Sequence, residues 1–422
     1  MSARSAKAGR RAVILGTSWA AQASSCMFLY GIPMLIPELR HLEHLSLAAA
    51  GWVVAAPTIG LLVTLIAWGA AADRYGERRV MALGLGLAGL SLIAAAVTPA
   101  VVGRALLLGA AGAAGGSVNA ASGRVVLGWF APHERGTAMG LRQTAQPLGV
   151  GVAALVLPSV AGRAGIGWAL AVPAVACIMA AGLVMAVVVD PPRAVVAPGR
   201  KRGSPYRSST LWRLHGASTL LVIPQFAISA FSLEYLVAQR HWSAGGAGAV
   251  VFGFQVAGAL GRVGAGRWSD RAGSRLSPMR LVALAASASM AAVAVGDLTG
   301  SVVVVLALGA AALITVADNG LGFTAAAELA GSEWAGRALG AHNTAQNLAS
   351  SLTPPLLGAL IGAAGYGIGF ATTAVFPLLA IGLIPLAAER ARRLSPPPAE
   401  AGSGHPRVRF HGLFTASGAA GP

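Results

Sequence analysis

One short pattern occurs twice in this 422-residue chain, and that repeat constrains the fold more than any other feature. Gly69, Asp73, Arg74, Gly76 and Arg78 spell G-x-x-x-D-R-x-G-x-R. Gly266, Asp270, Arg271, Gly273 and Arg275 spell it again 197 residues later. Each copy lies between two long apolar runs. Asp and Arg are costly in hydrocarbon, so a charged turn between such runs belongs at a membrane surface.

The duplication reaches further. Ser46 and Gly51 match Ser243 and Gly248 at the same offset. Gly136, Ala138, Gly140, Thr144, Ala145 and Gln146 recur as Gly336, Ala338, Gly340, Thr344, Ala345 and Gln346 at offset 200, and Asn119 recurs as Asn319. Two halves built on one pattern predict a pseudo-symmetric protein.

Composition points the same way. The chain is 55% hydrophobic and 11% charged, where a soluble domain carries about 25% charge. Its 56 glycines suit close helix packing in a membrane. The net charge of +17 raises a nucleic-acid reading, but the basic residues fall mostly in predicted inner loops and tails. No nucleic-acid partner is expected there, only anionic lipid. Cys26 and Cys177 sit inside apolar runs and imply neither a disulfide framework nor a metal site. No cofactor motif or phosphate-cradling loop occurs, so an ATP-driven pump has no support.

A membrane helix needs about 20 apolar residues. Such runs are predicted near 13–36, 47–70, 80–98, 102–128, 138–160 and 168–189, then near 214–238, 245–267, 279–298, 302–329, 338–363 and 367–388. The expected domains are a tail over 1–12, a six-helix bundle over 13–190, a linker over 191–213, a second bundle over 214–388 and a disordered tail over 389–422. The linker carries the basic cluster Arg200, Lys201 and Arg202. Lys and Arg crowd the segments that share a side with the motif loops, which predicts both termini in the cytoplasm. Arg-heavy, Lys-poor, Ala- and Gly-rich usage suggests a high-GC bacterial source, and the inner membrane is then the expected location.

The duplicated loop resembles the signature of the major facilitator superfamily, G-x-x-x-D-R-x-G-R-R/K after the second helix with a degenerate copy after the eighth. The likeness covers roughly residues 12–390. It implies an all-α membrane protein with 12 transmembrane helices in two pseudo-symmetric six-helix bundles. It also implies a secondary transporter, not an enzyme, that rocks two halves about a midplane site. Every third helix should then be peripheral. The polarity agrees: from Val80 to Val97 the third run has only Ser91, from Ala169 to Val189 the sixth has no polar side chain, the ninth has Ser287 and Ser289, and the twelfth has Thr372 and Thr373.

The resemblance assigns a gating role to Gly69, Asp73, Arg74, Gly76, Glu77, Arg78, Gly266, Asp270, Arg271, Gly273, Arg275 and Glu328. In the family, the loop Asp and Arg bind helix ends and acidic partners across the two halves. Many relatives place a base directly after the second motif glycine. Here that position is Glu77, so a reversed pair with Arg124 or Arg135 is expected. Glu328 is expected to pair with Arg271 or Arg275.

Polar groups inside the other eight runs are the candidates for solute contact: Asn119, Arg124, Arg142, Gln143, Gln146, Gln255, Asn319, Asn343 and Gln346. Arg and amides together suit an anion or a polar organic solute. The same amides also serve as interhelical glue. Glu234 and Asp318 each stand alone in an apolar stretch and are candidate proton carriers, with an ion pair to an Arg across the bundle as the alternative. The expected partners are a small-molecule solute, the bilayer and protons, with the protein a monomer. Proton-driven efflux of amphipathic drugs is an alternative. It is weakened because the fifth run reads Gln146, Pro147, Gly149, Gly151, without the Gly-Pro pair common in drug antiporters. A solute sensor with a transporter's fold is a third reading.

Overall fold

A computed structural model describes residues 3–130, 138, 141–190, 204–331 and 334–389. Arg135, the linker cluster and the tail beyond Glu389 lie outside these residues. Every described element is helical. The first half contains α1 (Ala3–Leu29), a 3₁₀ turn (Ile32–Leu35), α2 (Ile36–Leu42), α3 (Leu47–Tyr75), α4 (Glu77–Val97), α5 (Val101–Trp129), α6 (Ala145–Ala164) and α7 (Ile166–Val187). The second contains a 3₁₀ turn (Pro205–Arg207), α8 (Ser209–Ala238), α9 (Ala244–Ala272), α10 (Leu276–Leu298), α11 (Val304–Ile314), α12 (Asp318–Ala330), α13 (Ala335–Ala364) and α14 (Tyr366–Leu383).

Among the described residues, eleven spans are long and apolar enough to cross a membrane, with α11 and α12 counted as one. The twelfth is α13, which has 30 residues. Its row of His342, Asn343, Gln346, Asn347, Ser350, Ser351 and Thr353 lowers its hydropathy and marks it as a helix facing protein rather than lipid.

The repeated residues set the helix ends. Ser46 caps α3 by accepting from Ala49 N at 3.2 Å, and Ser243 caps α9 by accepting from Gly246 N at 3.2 Å. Gly76 and Gly273 end the same two helices at φ +89° and +57°. That backbone region disfavours a side chain, which explains the second motif glycine. The first motif glycines, Gly69 and Gly266, face open space.

Two expected helices differ from the sequence reading. The first does not run to residue 36. It ends at Leu29, and Pro33 and Pro37 start the 3₁₀ turn and α2, since proline is favoured in a first helical turn and breaks a helix interior. The tenth is split at Thr315–Ala317, so Asp318 becomes the first residue of a new helix within the membrane. A carboxylate there meets the positive end of the helix dipole.

Helices α4, α7, α10 and α14 are peripheral. They expose Leu83, Leu90, Met179, Leu183, Leu281 and Leu379, while their principal contacts stay within their own half. The halves meet through α3 on α13 and α9 on α6. Both crossings use matched positions. A Cβ on Gly51 would lie 2.6 Å from the Pro354 carbonyl oxygen, and one on Gly248 would lie 2.2 Å from that of Ala154. Gly51 and Gly248 differ by 197, and Ala154 and Pro354 by 200, so one close backbone contact is made twice. All four positions are remote from the motif loops, so the halves are closed on the opposite face.

Candidate functional site

The polar chemistry falls into three layers between the motif-loop face and the opposite face. At the motif loops, the ion pairs run within each half. Asp73 pairs with Arg124, and Glu77 lies 3.6 Å from the same guanidinium. Arg74 lies over the Tyr75 ring at 5.4 Å. In the second half Arg275 reaches Asp270 at 2.5 Å and Glu328 at 3.4 Å, while Arg271 is exposed. Burial lowers the affinity of the Arg275 guanidinium for its proton. The hydrogen bond to Asp270 and the charges of Glu328 and Asp270 outweigh that and raise its pKa. The cross-half role expected for the loop charges is therefore not what this conformation uses. With the opposite face closed, the loop charges find partners at home.

Two further carboxylates complete these loops. Asp190 Oδ1 accepts from Arg78 N at 2.7 Å, and Glu389 Oε1 accepts from Arg275 N at 2.6 Å. Ser274 Oγ donates to Glu389 at 2.6 Å. Each is the first acid after the last helix of its half, at an offset of 199. That spacing was the signal available in the sequence.

On the opposite face, Glu234 is not isolated. Its buried carboxylate takes the Arg40 guanidinium from α2 of the other half and a hydroxyl from Tyr366 at 3.4 Å. The charge that looks costly in the sequence is thus paired across the interface. Glu38 sits one step away, 7% exposed. Burial pushes its carboxyl up to about 7, against its own backbone hydrogen bond and with the charge of Glu234 adding to the rise. Arg104 pairs with Glu43 on the same face.

Between these layers lies the polar centre. Gln22 Nε2 donates to Asn119 Oδ1 at 2.8 Å, and Ser122 Oγ donates to Gln22 Oε1 at 3.0 Å. Arg142, 8% exposed, donates to Ser122 Oγ at 2.9 and 3.1 Å, to Gln22 Oε1 at 3.3 Å and to Gln143 Oε1 at 3.4 Å. Its partners among the described residues are all neutral, so none of them supplies a counter-charge to the buried guanidinium. Arg124, grouped with Arg142 in the sequence reading, belongs with the motif loop instead.

Nearer the interface, a pocket is lined by Tyr30, Gln146, Gln225, Phe226, Gln255 and Arg262 among others. Arg262 donates to Gln146 across the halves at 3.4 Å, and Tyr30 donates to Asn347 at 3.3 Å. Asn319 donates to Gln225 at 3.0 Å, and Asn347 donates to Asn343 Oδ1 at 3.2 Å. Asp318 is 1% exposed, and its Oδ2 has no hydrogen-bond partner. It feels the charge of Arg262. Gln346 is also buried, with its amide nitrogen unpartnered. Gly149 and Gly151 of α6 serve packing: a Cβ on Gly149 would lie 2.5 Å from the Ala23 carbonyl, and one on Gly151 would lie 2.8 Å from Phe252 in the other half.

The structure thus gathers Asn119, Arg142 and Gln143 into one cluster, and Gln146 and Gln255 into the adjoining pocket. It adds Gln22, Ser122, Tyr30, Gln225 and Arg262, which the sequence reading did not place at the site. Gln22, Gln225 and Arg262 are polar groups inside apolar runs and were visible as such. Ser122 and Tyr30 carry no signal of that kind.

A family model described as Major Facilitator Superfamily matches residues 18–354 and 216–418. An uncharacterized MFS-type transporter of Mycobacterium tuberculosis is 44% identical over 406 residues, covering 96% of this chain and 90% of the relative. The fold superposes on a bacterial homologue of the human lysosomal transporter Spinster with a TM-score of 0.73 at 15% identity, over 90% of this chain and 97% of that one. It superposes on a D-xylose–proton symporter with a TM-score of 0.72 at 15% identity, over 91% and 98%.

Proposed function

Because the chain belongs to the major facilitator superfamily, we propose that it is a secondary transporter of a small organic anion, held at Arg142 and Arg262 and carried together with a proton on Asp318. The observation that carries the reading is Arg142, a buried cation whose partners among the described residues are Gln22, Ser122 and Gln143 rather than a carboxylate. A buried guanidinium without a counter-ion is expensive, and an anionic solute would offset that cost on binding. Arg262, in the adjoining pocket, supplies a second positive group from the other half.

Coupling follows from competition for one charge. An ionised Asp318 draws on the field of Arg262; a protonated Asp318 leaves that field to the solute. Anion and proton then bind together and cross together. The motif loops face the cytoplasm of a bacterial plasma membrane, and both termini lie on that side, as the Lys and Arg distribution favours. In this orientation the Arg40–Glu234 pair and the Gly51 and Gly248 crossings close the outer side. The two bundles are 13–190 and 214–388, with a linker between them, and they rock about the polar centre.

Thermal melting of the purified protein against a panel of small carboxylates, inorganic anions and lipophilic cations tests the reading. A ligand of the folded state at 100 times its Kd adds about 2.7 kcal/mol of stability. Stabilisation by carboxylates supports an anion carrier. Stabilisation by lipophilic cations alone replaces it with efflux of amphipathic compounds.

A further inference from the structure

The gates and the polar centre leave one buried hydrogen-bonded chain without a role. The Tyr206 hydroxyl lies 3.0 Å from His215 Nε2, and His215 Nδ1 lies 3.0 Å from His342 Nδ1. The three residues come from the 3₁₀ turn Pro205–Arg207, from α8 and from α13. Tyr206 is partly exposed, whereas His215 and His342 are 5% and 0% exposed. At the inner end, His342 Nε2 and Ser218 Oγ are buried with no hydrogen-bond partner. Both border Gly322 on α12, where a Cβ would lie 2.8 Å from Ser218 Oγ and 3.2 Å from His342 Nε2. Gly322 shares a helix face with Asp318, about 6 Å away along the axis. His342 also stands at the repeat position of Arg142, and Gly322 at that of Ser122, both at offset 200. The second half therefore holds titratable rings where the first holds a fixed cation.

An Nδ1-to-Nδ1 contact requires that one ring carry the shared proton. Two neutral arrangements satisfy the chain. In one, His342 Nδ1–H donates to His215 Nδ1, and His215 Nε2–H donates to the Tyr206 oxygen. In the other, every hydrogen bond is reversed and His342 carries its proton on Nε2.

We propose that Tyr206, His215 and His342 form a proton wire from the motif-loop face to the buried His342 Nε2 beside Gly322, through which Asp318 gains and loses its proton. The inference rests on the reading of Asp318 as the coupling carboxyl. The transfer balances. A proton arriving on His342 Nε2 sends the Nδ1 proton to His215 Nδ1. The His215 Nε2 proton passes to the Tyr206 oxygen, and the original Tyr206 hydroxyl proton leaves to water. The reverse sequence resets the wire.

The charges of α3, α8, α12 and α13 other than Asp318 are engaged elsewhere, and Arg207 beside Tyr206 is exposed. Arg213 of α8 donates to the Gly382 carbonyl at 3.0 Å, and Arg337 of α13 lies 4.7 Å over Trp334. Glu328 of α12 lies against Arg275, and Asp73 of α3 pairs with Arg124. Arg74 of α3 lies over Tyr75. That leaves Asp318 as the charged group on the face of α12 that the wire approaches.

Time-resolved infrared spectroscopy of the full-length protein in nanodiscs tests the wire. The carboxylic C=O band of Asp318, assigned with D318N, is followed after a pH jump. His342→Gln and Tyr206→Phe are each expected to slow the band's response about tenfold or more. Tyr206→Phe lies at the edge of the fold and carries the test if His342→Gln does not fold. A band that responds at the wild-type rate in both variants overturns the wire alone. A band absent from every protein overturns both the wire and the coupling role of Asp318.

Discussion

Asp190 and Glu389 do the same work in the two halves. Each carboxylate follows the last helix of its bundle and accepts the backbone N–H of the residue that closes the motif, Arg78 at 2.7 Å and Arg275 at 2.6 Å. Both sit at helix N-termini, where an acceptor satisfies an orphan donor and the dipole favours negative charge. Asp190→Ala and Glu389→Ala should each lower stability by about 1 kcal/mol. The two carboxylates lie in different halves and bind different motif loops, so the double variant should lose the sum. Melting in detergent measures this. Glu389→Gln, which keeps an acceptor, should lose less than Glu389→Ala.

The Arg40–Glu234 pair links the halves on the face away from the motif loops. Arg40→Ala leaves the buried Glu234 carboxylate uncompensated, an effect on the order of 3 kcal/mol against the closed state. Reporter cysteines on that face should then label faster. Adding Glu234→Gln to Arg40→Ala should restore much of the protection, because the stranded charge is gone. Equal labelling in the single and double variants would count against the pair as a latch.

Gly51 and Gly248 let the halves approach backbone to backbone. Gly51→Val or Gly248→Val should exclude this conformation and shift distance distributions between spin labels on α3 and α13 to longer values. Gly69→Ala and Gly266→Ala meet open space and should leave the distributions unchanged. A Gly51→Val protein with the wild-type distribution would show that the contact does not hold the closed face.

Glu38 gives that face a pH dependence. Burial raises its carboxyl from an ordinary 4.5 to about 7 in the fold. The folded state therefore binds the proton more tightly than the unfolded chain. The resulting stability is complete below about pH 4.5 and is lost as pH rises through about 7. Glu38→Gln should flatten this part of the melting profile. A wild-type profile already flat between those values would contradict the assignment.

Much of the architecture is legible in the sequence because the repeat is legible. Ser46 with Ser243 and Gly76 with Gly273 act locally, so their spacing alone gives the caps and turns they form. The long apolar runs give the spans. What sequence reasoning misses depends on partners far apart along the chain. Glu234 looks isolated because Arg40 lies 194 residues away. His215 and His342 meet across 127 residues with no local pattern to announce them. The break before Asp318 carries no proline signal, and Arg124 looks like its neighbour Arg142 until the fold turns one to the loop and the other inward.

The claim at the centre is that Arg142 is the seat of an anionic solute. The direct measurement is the Kd of the most stabilising small carboxylate for wild type, Arg142→Lys and Arg142→Gln. Loss of a buried charge–charge contact should weaken Arg142→Gln binding about 100-fold, with Arg142→Lys between the two. Equal affinity in wild type and Arg142→Gln, or binding of lipophilic cations alone, would contradict it.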